Sequence, residues 1–476
     1  MDLSCGVGGW SNDVKIESVE LFLLGAARVI WSWPLILFIL AVGVYFSCKL
    51  RVLRISILKL SLKCAIEGNM NCRGEVSAFA SLCTALSATL GTGNIVGMAV
   101  AVTLGGPGAL FWLWISSIFS LAIKYAEGVL AVKYRKIEAD GSVSGGPMYY
   151  IGHGLRNPLL AKLFAISGTM VALFGIGTLA QSNSIAVACG SFKIPIAVSA
   201  ICLTAIVASI ICGGLRRIAT IAEKVVPIMT IFYIGAAIVV LVANFSRIPG
   251  VLYSIFHGAF APESLLGGGV GISSVVAASV GVSRGIFSHE SGLGSSAIAA
   301  AAAQVDLPPK QGFAAMAGAL LSVVVCTMTG LVILVACDNA ILFGGNSSIG
   351  GATLTSYAFG NGLGIPAVGT YIVGISIVFF AFTTIIGWNY YGEKCTQYVF
   401  GKRSIVPYRM LFLFFVAIGP FFRINGVFAL ADIVVGFMAI SNLIGLVGLR
   451  RIVISETDAF FGNSKAAHGN DFHWQS

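Results

Sequence analysis

Charged side chains are scarce in this 476-residue chain. Asp, Glu, Lys and Arg make up 10% of the residues, whereas hydrophobic residues make up 57%. Soluble domains carry about 25% charged residues, which they need to cover their surface. The scarcity therefore argues against a soluble enzyme, a disordered chain and a soluble nucleic-acid binder. It indicates a polytopic membrane protein.

Paired cysteines are also missing. None of the eleven cysteines forms a Cys-x-x-Cys pair, and five of them lie inside apolar runs: Cys83, Cys189, Cys202, Cys212 and Cys326. Cysteines in such runs are typical of small core residues. The sequence thus indicates neither a disulfide framework nor a zinc site. A cleavable leader is not indicated either, because residues 1–25 carry four acidic residues and lack a basic start.

Apolar runs of the length that crosses a bilayer, about 20 residues, recur along the chain. They predict eleven membrane-spanning helices: 29–50, 76–104, 107–134, 159–191, 195–213, 219–244, 272–303, 312–337, 365–393, 406–423 and 427–450. Before the first span, residues 13–27 have the pattern of an amphipathic helix that lies on the membrane interface. After the last span, residues 455–476 are polar, and we expect a loose tail.

Lys and Arg are unevenly distributed over the segments between these spans. If the N-terminus lies outside, the cytoplasmic segments hold 22 Lys and Arg and the outer segments hold five. By the positive-inside rule, this asymmetry predicts an outer N-terminus and a cytoplasmic C-terminus. We expect the membrane to be a bacterial inner membrane. It also accounts for the net charge of +10 without any nucleic acid.

Two of the spans contain a Gly-x-Gly-polar tetrad near the middle of the membrane, Gly91-Thr92-Gly93-Asn94 in span two and Gly292-Leu293-Gly294-Ser295 in span seven. Glycine costs a helix about 1 kcal/mol relative to alanine. A helix break is tolerated in lipid only where it faces protein or a wet cavity. Close helix packing through small residues is the alternative explanation.

The spacing of the tetrads predicts an internal repeat. They lie five spans apart, and each opens a block of five spans, 76–244 and 272–450. An odd number of spans in each block inverts the second block relative to the first, as in many secondary transporters. The other segments are then an N-terminal part, 1–75, with the first span and a basic loop, an outer connection, 245–271, and a cytoplasmic tail, 451–476.

A break in span two frees backbone groups that can bind ions of either sign. Free carbonyls around Ala88–Leu90 suit sodium, whereas free N–H groups at Thr92 and Gly93 suit a carboxylate. The side chain of Asn94 either adds an oxygen to an ion site or caps the next helix.

Adjacent hydroxyls in span nine, those of Thr383 and Thr384, offer further oxygen ligands for a cation. Threonines in membrane helices, however, often bond back to the carbonyl one turn earlier. Trp388 lies one helical turn further along and either walls a pocket or belongs to the interfacial aromatic belt. Gln181 in span four binds either a polar ligand or another helix.

Ionisable residues inside spans point to function. Arg284, His289 and Glu290 in span seven form either a structural ion pair that ties the unwound segment or a proton relay. They do not form a zinc motif, because a leucine occupies position 293. Lys124 and Glu127, three residues apart in span three, are expected to pair with each other.

The chain resembles the sodium:alanine symporters, the alanine or glycine:cation symporter family of the amino acid–polyamine–organocation superfamily, over about residues 76–450. The resemblance rests on several motifs: 91–95 (GTGNI), 105–112 (GGPGALFW), 124–127 (KYAE), 134–135 (YR), 145–150 (GGPMYY), 181–183 (QSN), 284–288 (RGIFS) and 387–393 (GWNYYGE).

The resemblance implies an all-α fold of the leucine-transporter type, with one extra helix before a ten-helix core, and no enzymatic activity. It implies that sodium is co-transported with a small neutral amino acid, alanine or glycine. It also implies a substrate site at Thr92, Gly93, Gln181, Phe287 and Trp388, and a sodium site at Ala88, Leu90, Thr383 and Thr384, with Asn94 as an additional candidate.

Two positions depart from the family's pattern. His289 stands where asparagine is usual, in a family motif Ser-Asn-Glu-Ala-Gly, and Thr178 stands where asparagine is usual before Gln181. Both departures leave the substrate preference open, and His289 leaves room for a proton-coupled carrier. A membrane-embedded enzyme and a channel are alternatives of other classes. The sequence shows no metal cluster, nucleophile–base pair or phosphate loop, and two broken helices favour alternating access.

Overall fold

The protein, described here by a computed structural model, is almost entirely helical. The structure describes residues 22–23, 25–27, 29–50, 55–66, 74–138, 141–260, 274–338, 341–342, 351–422 and 425–468. For residues 425–429 and 463–468 it describes the helical backbone only. The interfacial helix predicted over 13–27 therefore lies largely outside the described residues.

In the first half of the chain, the described residues form a series of helices and one hairpin. The helices are α1 (Trp33–Leu50), α2 (Ile55–Ile66), α3 (Ala78–Thr89), α4 (Val96–Gly105), α5 (Gly108–Lys133), α6 (Pro158–Phe174), α7 (Leu179–Ser191), α8 (Ile196–Ile211), α9 (Gly214–Ala243) and α10 (Ile248–Phe260). Strands β1 (Lys136–Ile137) and β2 (Val143–Ser144) pair antiparallel after α5. A short helical segment, Pro147–Tyr149, and a π-helical turn, Tyr150–Gly154, precede α6.

In the second half, the described residues form the helices α11 (Ser274–His289), α12 (Ser295–Ala300), α13 (Pro308–Ala336), α14 (Gly351–Gly362), α15 (Pro366–Phe400), α16 (Ile405–Ile418), α17 (Asn425–Gly448) and α18 (Arg450–His468). Helices α13 and α15 begin with proline in the first turn. Proline suits this position because its backbone angle is already helical and it has no N–H that would lack a partner. In the first half, the Ser77 side chain likewise accepts the Ala80 N–H at the start of α3.

Within the described residues, eight helical segments are long and apolar enough to cross a membrane, or nine when α3 and α4, which meet at a 64° bend, are joined. The chain is therefore a multi-pass membrane protein. The two further predicted spans, 195–213 and 272–303, contain α8 and α11, each of 16 residues. The total of eleven spans and the inverted repeat stay predictions.

Close packing of α5 against α11 and α13 builds the centre of the fold. A Cβ atom on Gly281 would lie 2.3 Å from the Ala109 carbonyl oxygen, and one on Gly285 would lie 2.4 Å from Ser116 Oγ. Only glycine lets α11 approach α5 this closely. This contact holds the end of α11 beside the polar residues of α5.

The expectation of a loose tail is wrong for residues 455–468, which belong to α18. This helix is polar on average, but one of its faces packs on the core. Val453 and Thr457 are buried, and the hydroxyls of Thr457 and Tyr125 lie 2.8 Å apart. Glu456 also pairs with Lys133 at 2.7 Å. Tertiary contacts therefore stabilise a helix that the composition does not predict.

Candidate functional site

Span two is broken where the first tetrad predicts it. Helix α3 ends when the Leu90 N–H bonds to the Leu86 carbonyl at 2.7 Å, and the backbone at Gly91 is extended. One turn of 3-10 helix, Thr92–Asn94, leads into α4. Among the described residues, no hydrogen bond reaches the N–H groups of Thr92 and Gly93 or the carbonyls of Ala88 and Leu90. The break therefore presents free donors and free acceptors side by side.

Side chains from α7 and α15 surround this break. A Cβ atom on Gly91 would lie 2.9 Å from Thr384 Oγ1 and 3.6 Å from Gln181 Nε2. Thr92 Oγ1 donates to Gln181 Oε1 at 3.2 Å, and Gln181 Nε2 donates to the Ile176 carbonyl at 3.0 Å. The structure thus brings Thr92, Gln181 and Thr384 together around Gly91.

The other glycine of the tetrad faces open space. A Cβ atom on Gly93 would have no heavy atom within 4 Å, and the same holds for Gly97, one turn later on α4. Gly93 is exposed, although its neighbours Thr92 and Asn94 are buried. The free N–H of Gly93 therefore borders a space that a ligand can enter.

The two threonines of α15 point in different directions. Thr384 faces Gly91, whereas Thr383 Oγ1 lies 3.6 Å from Met229 Sδ on α9. Both hydroxyls donate to carbonyls one turn earlier, Thr384 to Phe380 at 2.8 Å and Thr383 to Phe379 at 3.1 Å. Their oxygens keep lone pairs that can face a cation.

Glycine also brings α15 close to the end of α3. A Cβ atom on Gly387 would lie 2.9 Å from the Ala88 nitrogen. Ala88 and Leu90 are both buried. The carbonyl end of α3 and the Thr384 face of α15 are therefore neighbours.

Asn94 does not cap α4, since the residue at the N-cap is Ile95 and no side-chain cap is found there among the described residues. Its Nδ2 donates to Ser322 Oγ on α13 at 2.9 Å, and Ser322 Oγ donates to the Ser288 carbonyl at 2.7 Å. This chain of hydrogen bonds connects the break in span two to the last turn of α11.

Span seven is also broken, between α11 and α12. Glu290, Gly292 and Gly294 have φ angles of 50°, 86° and 76°, a left-handed conformation that glycine tolerates and other residues rarely adopt. Both breaks thus coincide with the tetrads.

A carboxylate from α5 binds the second break. Glu127 Oε1 accepts the N–H groups of Gly292 at 3.0 Å and Gly294 at 3.1 Å. It also accepts Asn442 Nδ2 of α17 at 2.7 Å. Asn442 donates as well to the Gly292 carbonyl at 2.9 Å and accepts the Tyr150 hydroxyl. Glu127 and Asn442 together hold the unwound segment.

These contacts replace the predicted ion pair of Arg284, His289 and Glu290 as the tie of the unwound segment. Arg284 instead interacts electrostatically with Asp432 on α17. Asn442 and Tyr150 were not among the predicted residues. An asparagine inside the apolar span eleven was a signal that could have drawn attention to Asn442.

The predicted pairing of Lys124 with Glu127 is confirmed, with Lys124 Nζ 3.7 Å from Glu127 Oε2. Lys124 also donates to Ser296 Oγ of α12 at 2.7 Å. Glu290 Oε2 accepts the Ser295 hydroxyl at 2.5 Å, and the Trp388 side chain lies beside the same carboxyl group. The ionisable side chains of Lys124, Glu127 and Glu290 therefore meet at the second break.

A small cavity of ≈ 20 Å³ lies between α3, α12 and α13. Thr89, Lys124, His289 and Ser296 contribute its polar lining. His289 Nδ1 accepts the Ser291 N–H at 3.3 Å, and its buried Nε2 has no partner among the described residues. The cavity has room for about one water molecule, which could satisfy Nε2.

Trp388 is fully buried, which rules out the lipid-interface position that the sequence left open. A Cβ atom on Gly177, in the gap between α6 and α7, would lie 2.8 Å from Trp388 Cβ. The Trp388 ring lies 5.5 Å from that of Tyr391. Phe287 is half-buried, and its ring lies 4.3 Å from that of Trp31, just before α1.

Comparison with known proteins identifies transporters that are similar to this chain over most of its length. The model of the sodium:alanine symporter family matches residues 16–474. A transporter of Haemophilus influenzae is 46% identical over 95% of this chain and 98% of its own length. The sodium/alanine symporter AgcS of Methanococcus maripaludis is 41% identical over 90% of this chain and 95% of its own. The amino-acid carrier protein AlsT of Bacillus subtilis is 35% identical over 79% of this chain and 78% of its own.

Proposed function

Because the chain belongs to the sodium:alanine symporter family, and is therefore a cation-coupled amino-acid transporter and not an enzyme, we propose that it carries a small neutral amino acid, alanine or glycine, together with sodium. Transport proceeds by alternating access around a site at the middle of the membrane. The observation that carries this proposal is the break between α3 and α4, where free N–H and C=O groups adjoin Gln181 and Thr384.

The amino-acid carboxylate binds at the start of α4. The free N–H groups of Thr92 and Gly93 lie at a helix N-terminus, which carries a partial positive charge. Gln181 is held beside them by Thr92 and completes the polar side of the site. The open space next to Gly93 receives the substrate.

Sodium binds at the end of α3. The carbonyls of Ala88 and Leu90 lie at a helix C-terminus and carry a partial negative charge. The hydroxyl oxygens of Thr384 and Thr383 supply further ligands, and oxygen is the ligand that hard cations prefer. Asn94 Oδ1 is an additional candidate, since Asn94 uses its Nδ2 to bind Ser322.

Bulky side chains restrict the size of the substrate. We assign Trp388 and Phe287 to the wall of the pocket, with Trp388 as the residue that excludes larger amino acids. The burial of Trp388 and its packing on Gly177 support this role, because they give the indole little freedom to move aside.

The repeat and the orientation belong to the same proposal. The broken helices open the two five-span blocks, 76–244 and 272–450, which supports an inverted repeat. Lys and Arg are in excess in the segments that follow the odd-numbered spans. This excess supports an outer N-terminus and a cytoplasmic C-terminus, in what we propose is the inner membrane.

Uptake into proteoliposomes tests the proposal. Purified protein is reconstituted, labelled alanine is added outside, and sodium and proton gradients are imposed separately. We expect an inward sodium gradient to drive accumulation without a pH gradient, and unlabelled glycine to compete. Accumulation driven by a pH gradient without sodium would instead establish the proton-coupled carrier that His289 left open.

A further inference from the structure

Besides His289, three ionisable side chains are buried around the break between α11 and α12. Lys124 is 3% exposed, Glu127 is 1% exposed and Glu290 is 3% exposed. With all three ionised, their formal charges sum to −1. Arg284 and Asp432 interact electrostatically with each other, and their formal charges cancel. In that fully ionised state, the described part of the site carries one more negative charge than positive.

The two carboxylates are not equally stabilised. Glu127 Oε1 accepts three N–H donors, and Glu127 Oε2 faces Lys124. Glu290 accepts one hydroxyl, that of Ser295, lies against the Trp388 side chain, and shares the charge of Lys124 with Glu127. A buried carboxylate with so few donors is costly unless another positive charge compensates it. One lysine thus serves two carboxyl groups, and Glu290, which has fewer donors than Glu127, is the one whose ionised form lacks a full counter-charge.

The coupling cation of the proposed function would bind nearby. Trp388, which contacts Glu290, lies one turn of α15 beyond Thr384, a rise of about 6 Å. Helix α12, which starts at the Ser295 partner of Glu290, packs against both α3 and α15. Glu290 thus lies beside the two helices that present Ala88, Leu90 and Thr384.

We propose that Glu290 is the buried counter-charge of the coupling cation. It acts through its charge and as a positioning residue, not as a ligand. With one monovalent cation bound, the formal charge of the cluster becomes zero. This inference rests on the proposed function, since it takes the cation site from there.

The sign of the charge gives the test its direction. At a separation of about 8 Å and an effective dielectric constant of about 20, two unit charges attract strongly enough to change a half-saturating concentration about 30-fold. Glu290→Gln should therefore raise the cation concentration for half-maximal uptake about 30-fold. Lys124→Gln, which makes the cluster more negative, should lower that concentration. A purely structural role of both residues would weaken cation binding in both variants.

Two matched controls separate charge from hydrogen bonding. Ser295→Ala removes the hydrogen bond to Glu290 and keeps its charge, and Glu290→Asp keeps the charge on a shorter side chain. Both should stay within about threefold of the wild type.

The variants are measured in proteoliposomes with whichever cation drives wild-type uptake. The wild type alone tests the proposed function, and the variants test the counter-charge. An unchanged half-saturating concentration in Glu290→Gln would overturn the inference, as would Ser295→Ala matching Glu290→Gln. If Glu290→Gln is not recovered in the membrane, Lys124→Gln decides alone, and weaker cation binding in that variant overturns the inference.

Discussion

Two glycines of one tetrad provide a sharp test of the site, because the structure gives them different surroundings. A methyl group added at Gly91 would lie 2.9 Å from Thr384 Oγ1, whereas one added at Gly93 would meet no atom within 4 Å. Gly91→Ala must therefore push α15 away from the break or distort it. Gly93→Ala leaves the packing intact but places its methyl group in the space assigned to the substrate.

The size of the first effect follows from overpacking. An extra methyl group in a well-packed site costs about 1–3 kcal/mol. If that strain falls on the cation-bound geometry, the sodium concentration for half-maximal uptake rises about 5- to 150-fold. For Gly93→Ala we expect the alanine concentration for half-maximal uptake to rise about 10-fold or more, with sodium dependence close to that of the wild type.

Labelled alanine uptake into proteoliposomes, titrated separately with sodium and with alanine, measures both effects. The thermal unfolding of the purified variants shows whether Gly91→Ala also lowers stability while Gly93→Ala does not. Equal changes in both titrations for both variants would refute the reasoning, since the two surroundings would then make no difference. A purely sodium-specific defect in Gly93→Ala would refute it as well.

Three further predictions concern single side chains. Thr384→Ala should raise the half-saturating sodium concentration about 10-fold, as expected for a lost oxygen contact. Thr383→Ala should raise it less, because Thr383 faces Met229. Equal half-saturating sodium concentrations in the two variants would contradict the assignment. Trp388→Phe should admit valine or leucine as competitors of labelled alanine uptake. An unchanged competition profile would show that a residue other than Trp388 limits the size of the substrate. His289→Asn should keep sodium-driven uptake, so loss of uptake in that variant at normal expression would assign His289 an essential role.

The helix breaks are the part of the site that the sequence predicted best. Glycines and polar residues inside an apolar run leave a local signal, and both tetrads coincide with breaks in the structure. The pairing of Lys124 with Glu127 was equally local, since the two residues lie three positions apart on one helix. Local patterns of this kind need no knowledge of the fold.

The contacts that hold the second break could not be predicted in this way. Glu127 and Asn442 are 315 residues apart in sequence and meet only because α5 and α17 pack on the same segment. The different directions of Thr383 and Thr384 could have been inferred, because adjacent residues of a helix point about 100° apart. Which of the two faces the break, however, depends on the rotation of α15 in the fold.

The two breaks differ in a way that bears on where a substrate binds. Each exposes backbone N–H groups to which a carboxylate can bind. At the second break, the N–H groups of Gly292 and Gly294 already bind the carboxylate of Glu127. At the first, the N–H groups of Thr92 and Gly93 have no partner among the described residues. A carboxylate that enters from outside must displace a buried, lysine-paired side chain at the second break, but needs to displace no protein group at the first. This difference favours Thr92 and Gly93 as the site of the amino-acid carboxylate that we propose, and it agrees with the proposed role of the second break as a source of fixed charge.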